Sequence, residues 1–135
     1  MIRVLLADDH AVVRHGLERL LGGFADVEVV GIASNGEEAV ALAESERPDV
    51  ALLDLQMPRL DGIGATRRIR ERAPDVRVVV LTAFSDREAI VEALDAGAAG
   101  YLLKDVEPDE LRRALTAAVR GDAPLAPRAA RLLLE

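Results

Sequence analysis

The sequence predicts an α/β domain in which a parallel five-stranded sheet is wound with helices on both faces. Three observations point to it. Short runs rich in Val, Leu and Ile alternate with longer helical stretches from one end of the chain to the other. The runs are apolar almost throughout, as strands buried on both faces are. The length of 135 residues, 50% of them hydrophobic and 30% charged, is one domain's worth of chain with enough apolar surface for one core.

The strands are read at Ile2–Ala7, Val27–Ala33, Val50–Leu53, Val76–Leu81 and Gly100–Leu103. The stretches between them read as helices at Val12–Leu21, Glu37–Ser45, Ile63–Arg72, Asp86–Ala96 and Pro108–Arg120. In the last, Leu111, Ala114, Leu115, Ala118 and Val119 follow the i, i+3, i+4, i+7, i+8 face. Asn35 with Glu38, and Ser85 with Glu88, stand at capping-box spacing. Pro108 suits a first helical position, and Gly22, Gly97 and Gly121 suit helix ends. The order is (βα)5, with right-handed crossovers. After Gly121 the pattern changes. DAPLAP carries two prolines in six residues, and RAARLLLE reads as a short amphipathic helix exposing Leu132, Leu133 and Leu134. Such a segment is an interface, a truncated continuation, or a tail with one face resting on the domain. Residues 1–120 are therefore read as the domain and 121–135 as a linker.

Composition excludes several functions. Seventeen basic residues against 24 acidic ones leave a net charge of −7, a poor balance for phosphate-backbone contacts. The aromatic residues are Phe24, Phe84 and Tyr101, which make no platform for stacked bases. With no cysteine there is no disulfide, thiolate zinc site or cysteine nucleophile. The opening run lacks a basic region and a cleavage site, and no apolar stretch approaches the ~18 residues of a membrane span. A cytoplasmic domain without a membrane is expected.

In open parallel sheets, ligands bind at the carboxyl ends of the strands. The first run ends in Asp8-Asp9, the third in Asp54, the fourth in Thr82 and the fifth in Lys104; the second ends in Ala33-Ser34, without charge. If the strand order is 2-1-3-4-5, a topology borrowed from flavodoxin-like folds, strand two is an edge and the other four ends converge. Three carboxylates brought together need a cation to stay ionised. Oxygen ligands suit a hard ion that keeps several waters, namely Mg²⁺ (or Mn²⁺). A lysine and a hydroxyl beside that ion make a phosphoryl-transfer site. Lys104 is the single lysine beside 16 arginines, and its ammonium is a compact point charge for which a guanidinium is no substitute. Taken alone, Asp8-Asp9 could cap the following helix, Asp54 could be a turn acid, Thr82 a strand-end hydroxyl and Tyr101 a core residue with its hydroxyl at the rim. The four strand ends together carry the reading.

LLADDH, LLDLQMPRLDG, VLTAF and GYLLKD together resemble the receiver domain of bacterial two-component response regulators, over residues 1–120. DDHAVVRHGLERLL and GYLLKD are similar to the LuxR-type (NarL/FixJ) subfamily. The resemblance implies that Asp54 accepts a phosphoryl group from a sensor histidine kinase. It implies Mg²⁺ ligation by Asp9 and Asp54, by Asp8 mainly through water, and by the backbone carbonyl of Gln56. Thr82 and Lys104 would each contact a phosphoryl oxygen, and Tyr101 would be an aromatic switch turning inward as Thr82 moves. Gln56 and Phe84 occupy positions that tune the lifetime of the phosphorylated state. It further implies a homodimer and a C-terminal helix-turn-helix domain for DNA binding, which these residues do not contain and toward which PLAPRAARLLLE would lead. One departure stands out: many receivers follow the lysine with a cis proline, whereas Asp105 follows Lys104, so a trans bond is expected.

His10 is expected to point away along its loop and His15 to lie on the first helix, neither with a role. Gly62 is expected to allow a tight turn after Asp61. A haloacid-dehalogenase-type phosphatase is disfavoured, because the position two residues past Asp54 is Gln56 and carries no acid. A dinucleotide-binding domain is disfavoured because the first strand leads into Asp8-Asp9-His10 and not G-x-G-x-x-G. A receiver-like module that no longer takes phosphate would have lost one of the five site groups. A signalling module, not an enzyme, is the expectation.

Overall fold

The structure is a computed structural model and describes residues 1–83 and 86–134. The strands are Ile2–Ala7 (β1), Val27–Ala33 (β2), Val50–Leu53 (β3), Arg77–Thr82 (β4) and Gly100–Leu103 (β5). Between and after them run the helices Ala11–Gly22 (α1), Gly36–Glu46 (α2), Gly62–Arg72 (α3), Arg87–Asp95 (α4), Pro108–Val119 (α5) and Pro127–Leu133 (α6). The sheet order is β2-β1-β3-β4-β5 and every pairing is parallel, the flavodoxin-like arrangement expected.

Alternation of the pleat divides the core. Leu5, Ala7, Ala51, Leu53 and Val78 face α2 and α3, where Ala39, Val40, Ala65 and Ile69 meet them. Val4, Leu6, Leu52, Val79 and Leu81 face α1 and α5, meeting Leu21, Leu111 and Leu115. A third cluster joins Val80, Tyr101 and Leu103 to Ile90 and Ala93 of α4 and to Ala129 of α6. Apart from the edge strand β2, which is only partly buried, the apolar runs are buried on both sides because helices cover both.

Punctuation falls close to expectation. Asn35 accepts from the Glu38 N–H and donates to the Glu38 carboxylate, both at 2.9 Å, closing the reciprocal box at α2. Gly97 and Gly121 take positive φ (107° and 90°) just past α4 and α5. At α4 the cap is Asp86, which accepts from the Ala89 N–H at 2.8 Å. Ser85, read as that cap, lies outside the described residues, as does Phe84. β4 begins one residue later than expected, because the Val76 N–H closes a turn onto the Ala73 carbonyl, and it ends on Thr82 itself.

The tail follows one of its alternative readings, with one face resting on the domain. Leu134 is exposed, but Leu132 and Leu133 are partly buried against α4 and β5, and Ala129 is fully buried. Ahead of α6, Leu125 bridges to Tyr101 in parallel, on the free side of β5. Residues 124–133 thus belong to the packed body of the domain. No helix among the described residues is long and apolar enough to cross a membrane.

Candidate functional site

Parallel pairing puts the carboxyl ends of β1, β3, β4 and β5 along one edge, and the ladder extends one rung past β1, β3 and β5 to fix the residue after each. The Asp8 N–H donates to the Ala33 carbonyl (3.1 Å), that of Asp54 to Ala7 (3.0 Å) and that of Lys104 to Thr82 (2.9 Å). Three of the predicted polar residues therefore hang from sheet hydrogen bonds instead of loose loops.

Their side chains meet. Lys104 Nζ lies 2.7 Å from Asp8 Oδ2 and 2.9 Å from Asp54 Oδ2, bridging two carboxylates that are nearly fully buried (1% and 4% exposed). Burial opposes the lysine's charge, but hydrogen bonds and attraction from both carboxylates outweigh it and hold its pKa above the ordinary value. The remaining Asp8 oxygen, Oδ1, accepts the His10 N–H at 2.9 Å. Arg14 of α1 donates to the Asp8 carbonyl at 2.9 Å. Asp8 is thereby held from three directions.

His10 corrects the sequence reading. It turns toward the acids, with Nδ1 3.1 Å from Asp9 Oδ1 and 3.5 Å from Asp8 Oδ1, because the chain reverses into α1 directly after the strand. One ligand atom from each of Asp8, Asp9, His10 and Asp54 lies within 4.8 Å of the others. Three carboxylates against one ammonium leave an excess of two negative charges, which a divalent cation matches. The three carboxylates of this set offer the oxygen donors that suit a hard divalent ion.

Thr82 and Tyr101 are both fully buried, Thr82 at the end of β4 and Tyr101 in the middle of the third core cluster. Tyr101 is thus already inward. Gln56 is exposed in the loop after β3. No cis bond occurs among the described residues, so Lys104–Asp105 is trans, as expected.

Gly62 earns its place differently from the expectation of a tight turn. A Cβ there would lie 2.3 Å from the Asp54 carbonyl oxygen and 2.7 Å from Leu55 Cα, both backbone atoms. Only a bare backbone lets α3 begin against the end of β3, where the Gly62 N–H donates to the Leu55 carbonyl at 2.8 Å. Asp61 caps the same helix, accepting from the Gly64 N–H at 2.8 Å.

Burial pushes the Tyr101 phenol up to about 12, and the charges of Asp86 and Asp54 add to the effect. An unfolded phenol ionises near pH ~10, so at higher pH the unfolded chain loses a proton that the folded one keeps. Stability is undiminished below about pH 10 and falls as the pH rises toward 12. Tyr101 is the single tyrosine and there is no tryptophan, so a near-ultraviolet absorbance titration reads this one group. We expect a midpoint near 12; a midpoint near 10 in the folded protein would place the hydroxyl in water.

A doubly wound α/β domain with buried carboxylates and a lysine clustered at the carboxyl edge of its sheet defines the class. The chain belongs to the response regulator receiver domain family, whose profile matches residues 4–116. It is 45% identical over 122 residues to the nitrate/nitrite response regulator protein NarL of Escherichia coli, covering 90% of this chain and 56% of that protein. It is 43% identical over 134 residues to the DNA-binding transcriptional activator DevR/DosR of Mycobacterium tuberculosis, covering 99% of this chain and 62% of the relative. Its fold superposes with a TM-score of 0.94 on a LuxR-family two-component response regulator from Aurantimonas, at 34% identity over 99% of this chain and 96% of the other. The chain spans a little over half the length of the two regulators.

Among the site groups, the direction of His10 was missed by sequence reasoning, and so was an ion pair between Asp105 and Arg128 (2.6 Å). Spacing holds no signal for either, since one depends on a loop torsion and the other joins residues far apart in the chain.

Proposed function

We propose that Asp54 is the phospho-acceptor of a two-component signalling module. The observation that carries this is the Lys104 ammonium lodged between Asp8 and Asp54 at the ends of three strands of one sheet. A carboxylate oxygen of Asp54 attacks the phosphorus of a phosphohistidine on a sensor histidine kinase. The new O–P bond forms as the P–N bond breaks, and the departing imidazole nitrogen keeps the electron pair and takes up a proton. Lys104 then pairs with one phosphoryl oxygen, and Thr82 donates its hydroxyl to another. Tyr101, on the strand beside the one that ends in Thr82, is the switch residue.

Asp9, Asp54 and the Gln56 carbonyl would hold Mg²⁺ or Mn²⁺, with Asp8 close by to support its charge. When bound, the ion supplies positive charge that offsets the charge on the transferring group. Gln56 cannot protonate a leaving group, which supports a signalling module over a phosphatase that turns over small esters. Residues 1–120 form the receiver and 121–135 lead toward a C-terminal DNA-binding domain, through which the whole protein, acting in the cytoplasm and as a homodimer, controls transcription.

Intact mass after incubation with acetyl phosphate tests the reading. One phosphoryl adduct is expected with Mg²⁺ and none with a chelator. No adduct on folded, Mg²⁺-supplied protein would leave an interaction module that works without phosphate.

A further inference from the structure

One arginine of the loop after β3 stands in a backbone conformation that its residue type rarely takes. Arg59 has a φ of 69°, and across it the Leu60 N–H donates to the Pro58 carbonyl at 2.7 Å. A bond spanning a single residue of positive φ makes a γ-turn of the rare, strained form. The other arginine of positive φ, Arg47 (47°), ends α2, where that conformation is ordinary. The turn at Arg59 ends no helix. Close backbone approaches clamp it on both sides. A Cβ on Gly36, at the start of α2, would lie 1.9 Å from the Leu60 carbonyl oxygen, and one on Gly62 would lie 2.3 Å from that of Asp54. The chain therefore leaves the end of β3 at Asp54 and closes back on it at Gly62, with Arg59 exposed on the loop between.

The Arg59 guanidinium makes no hydrogen bond or ion pair with another described residue. Its charge is felt nonetheless. Hydrogen bonds from Ser34 hold the Glu38 carboxyl below the usual range, and attraction from Arg59 and Arg14 adds to them. Arg14 in turn donates to the Asp8 carbonyl, so both guanidiniums stand at the edge of the sheet that carries the carboxylates. We propose that Arg59 is an anion-steering residue, held by its strained turn at the rim of the carboxylate cluster, which draws in a small dianionic donor of the acyl phosphate class. The assignment rests on the phospho-acceptor reading above. Three carboxylates against one ammonium repel such a donor, and a chain of net charge −7 adds to the repulsion. A cation at the rim offsets this without touching the reacting atoms. Strain of this kind persists where the surroundings over-determine it, and it gathers at functional sites. Glycine at position 59 relieves the strain and removes the charge, so one substitution separates the two effects.

Adduct formation from acetyl phosphate and Mg²⁺, followed by intact mass, tests the assignment when paired with thermal midpoints. Arg59→Gly is expected to melt at or above the parent's midpoint, yet to form the adduct about fivefold more slowly at subsaturating acetyl phosphate. The loss falls on the half-saturating concentration and not on the limiting rate, and it fades in about 0.5 M salt, where screening is short-ranged. Arg59→Lys keeps the parent's rate, and Arg59→Glu is slower than Arg59→Gly. An Arg59→Gly protein as fast as the parent overturns the steering role. So does a loss that Arg59→Lys shares or that salt leaves in place, because the shape of the turn and not its charge then sets the rate. A lowered midpoint in Arg59→Gly overturns the strain that the placement rests on. An adduct on the parent with any of these results leaves the phospho-acceptor reading standing, whereas no adduct on the parent overturns both.

Discussion

Asp54→Asn is expected to lose the phosphoryl adduct entirely while keeping the fold. The amide has no anionic oxygen to attack phosphorus, and its shape matches the carboxylate it replaces. Lys104 keeps its 2.7 Å partner in Asp8, so no buried cation is orphaned. The cluster holds more negative than positive charge, and removing one carboxylate from it relieves repulsion. The thermal midpoint of Asp54→Asn should therefore equal or exceed that of the parent protein. An adduct of undiminished yield on this variant would place the acceptor elsewhere.

Gly62→Ala is expected to be among the most damaging single-methyl additions in the chain, costing about 3 kcal/mol, the upper part of the range for overpacking. The added carbon meets the Asp54 carbonyl at 2.3 Å and Leu55 Cα at 2.7 Å. Neither is the tip of a flexible side chain, so relief requires α3 to back away from β3. That movement drags the Leu55 carbonyl and the site loop with it. The variant should show both a lower midpoint in chemical denaturation and a slower phosphoryl transfer from acetyl phosphate. Stability equal to the parent's would mean that α3 shifts freely, contrary to the seat its N-terminus makes on Leu55.

The sheet and most of the site are legible in the sequence for one reason. A parallel strand buried on both faces writes itself as an unbroken apolar run, and the first polar residue after it must lie at the carboxyl edge. Asp8, Asp54 and Lys104 are found in this way, and the hydrogen bonds that carry the ladder one rung further explain why they can be. His10 comes after the same strand, but its direction depends on how the loop enters α1, which no periodicity encodes. At α4, Ser85 and Asp86 are both good capping residues, and the sequence cannot rank two neighbours of similar chemistry. Gly62 is visible as a glycine, but the reason for it is a backbone 2.3 Å away that belongs to another element. The tail is the hardest part to read. Its leucines announce an apolar face, while Gly100, where a Cβ would stand 2.5 Å from the Pro124 oxygen, and the acid at Asp105, which pairs with Arg128, lie about twenty residues or more upstream.

The distribution of cations has a chemical consequence. Every basic side chain from Met1 to Glu135 other than the two histidines is a guanidinium except one, so Nζ of Lys104 and the α-amino group are the two primary amines in these 135 residues. An acylating or carbonyl reagent that elsewhere scatters across a surface finds here one internal amine, 19% exposed and wedged between two carboxylates. Because guanidinium groups keep their charge and ignore such reagents, amine-directed chemistry is confined, away from the N-terminus, to the carboxylate cluster at the edge of the sheet.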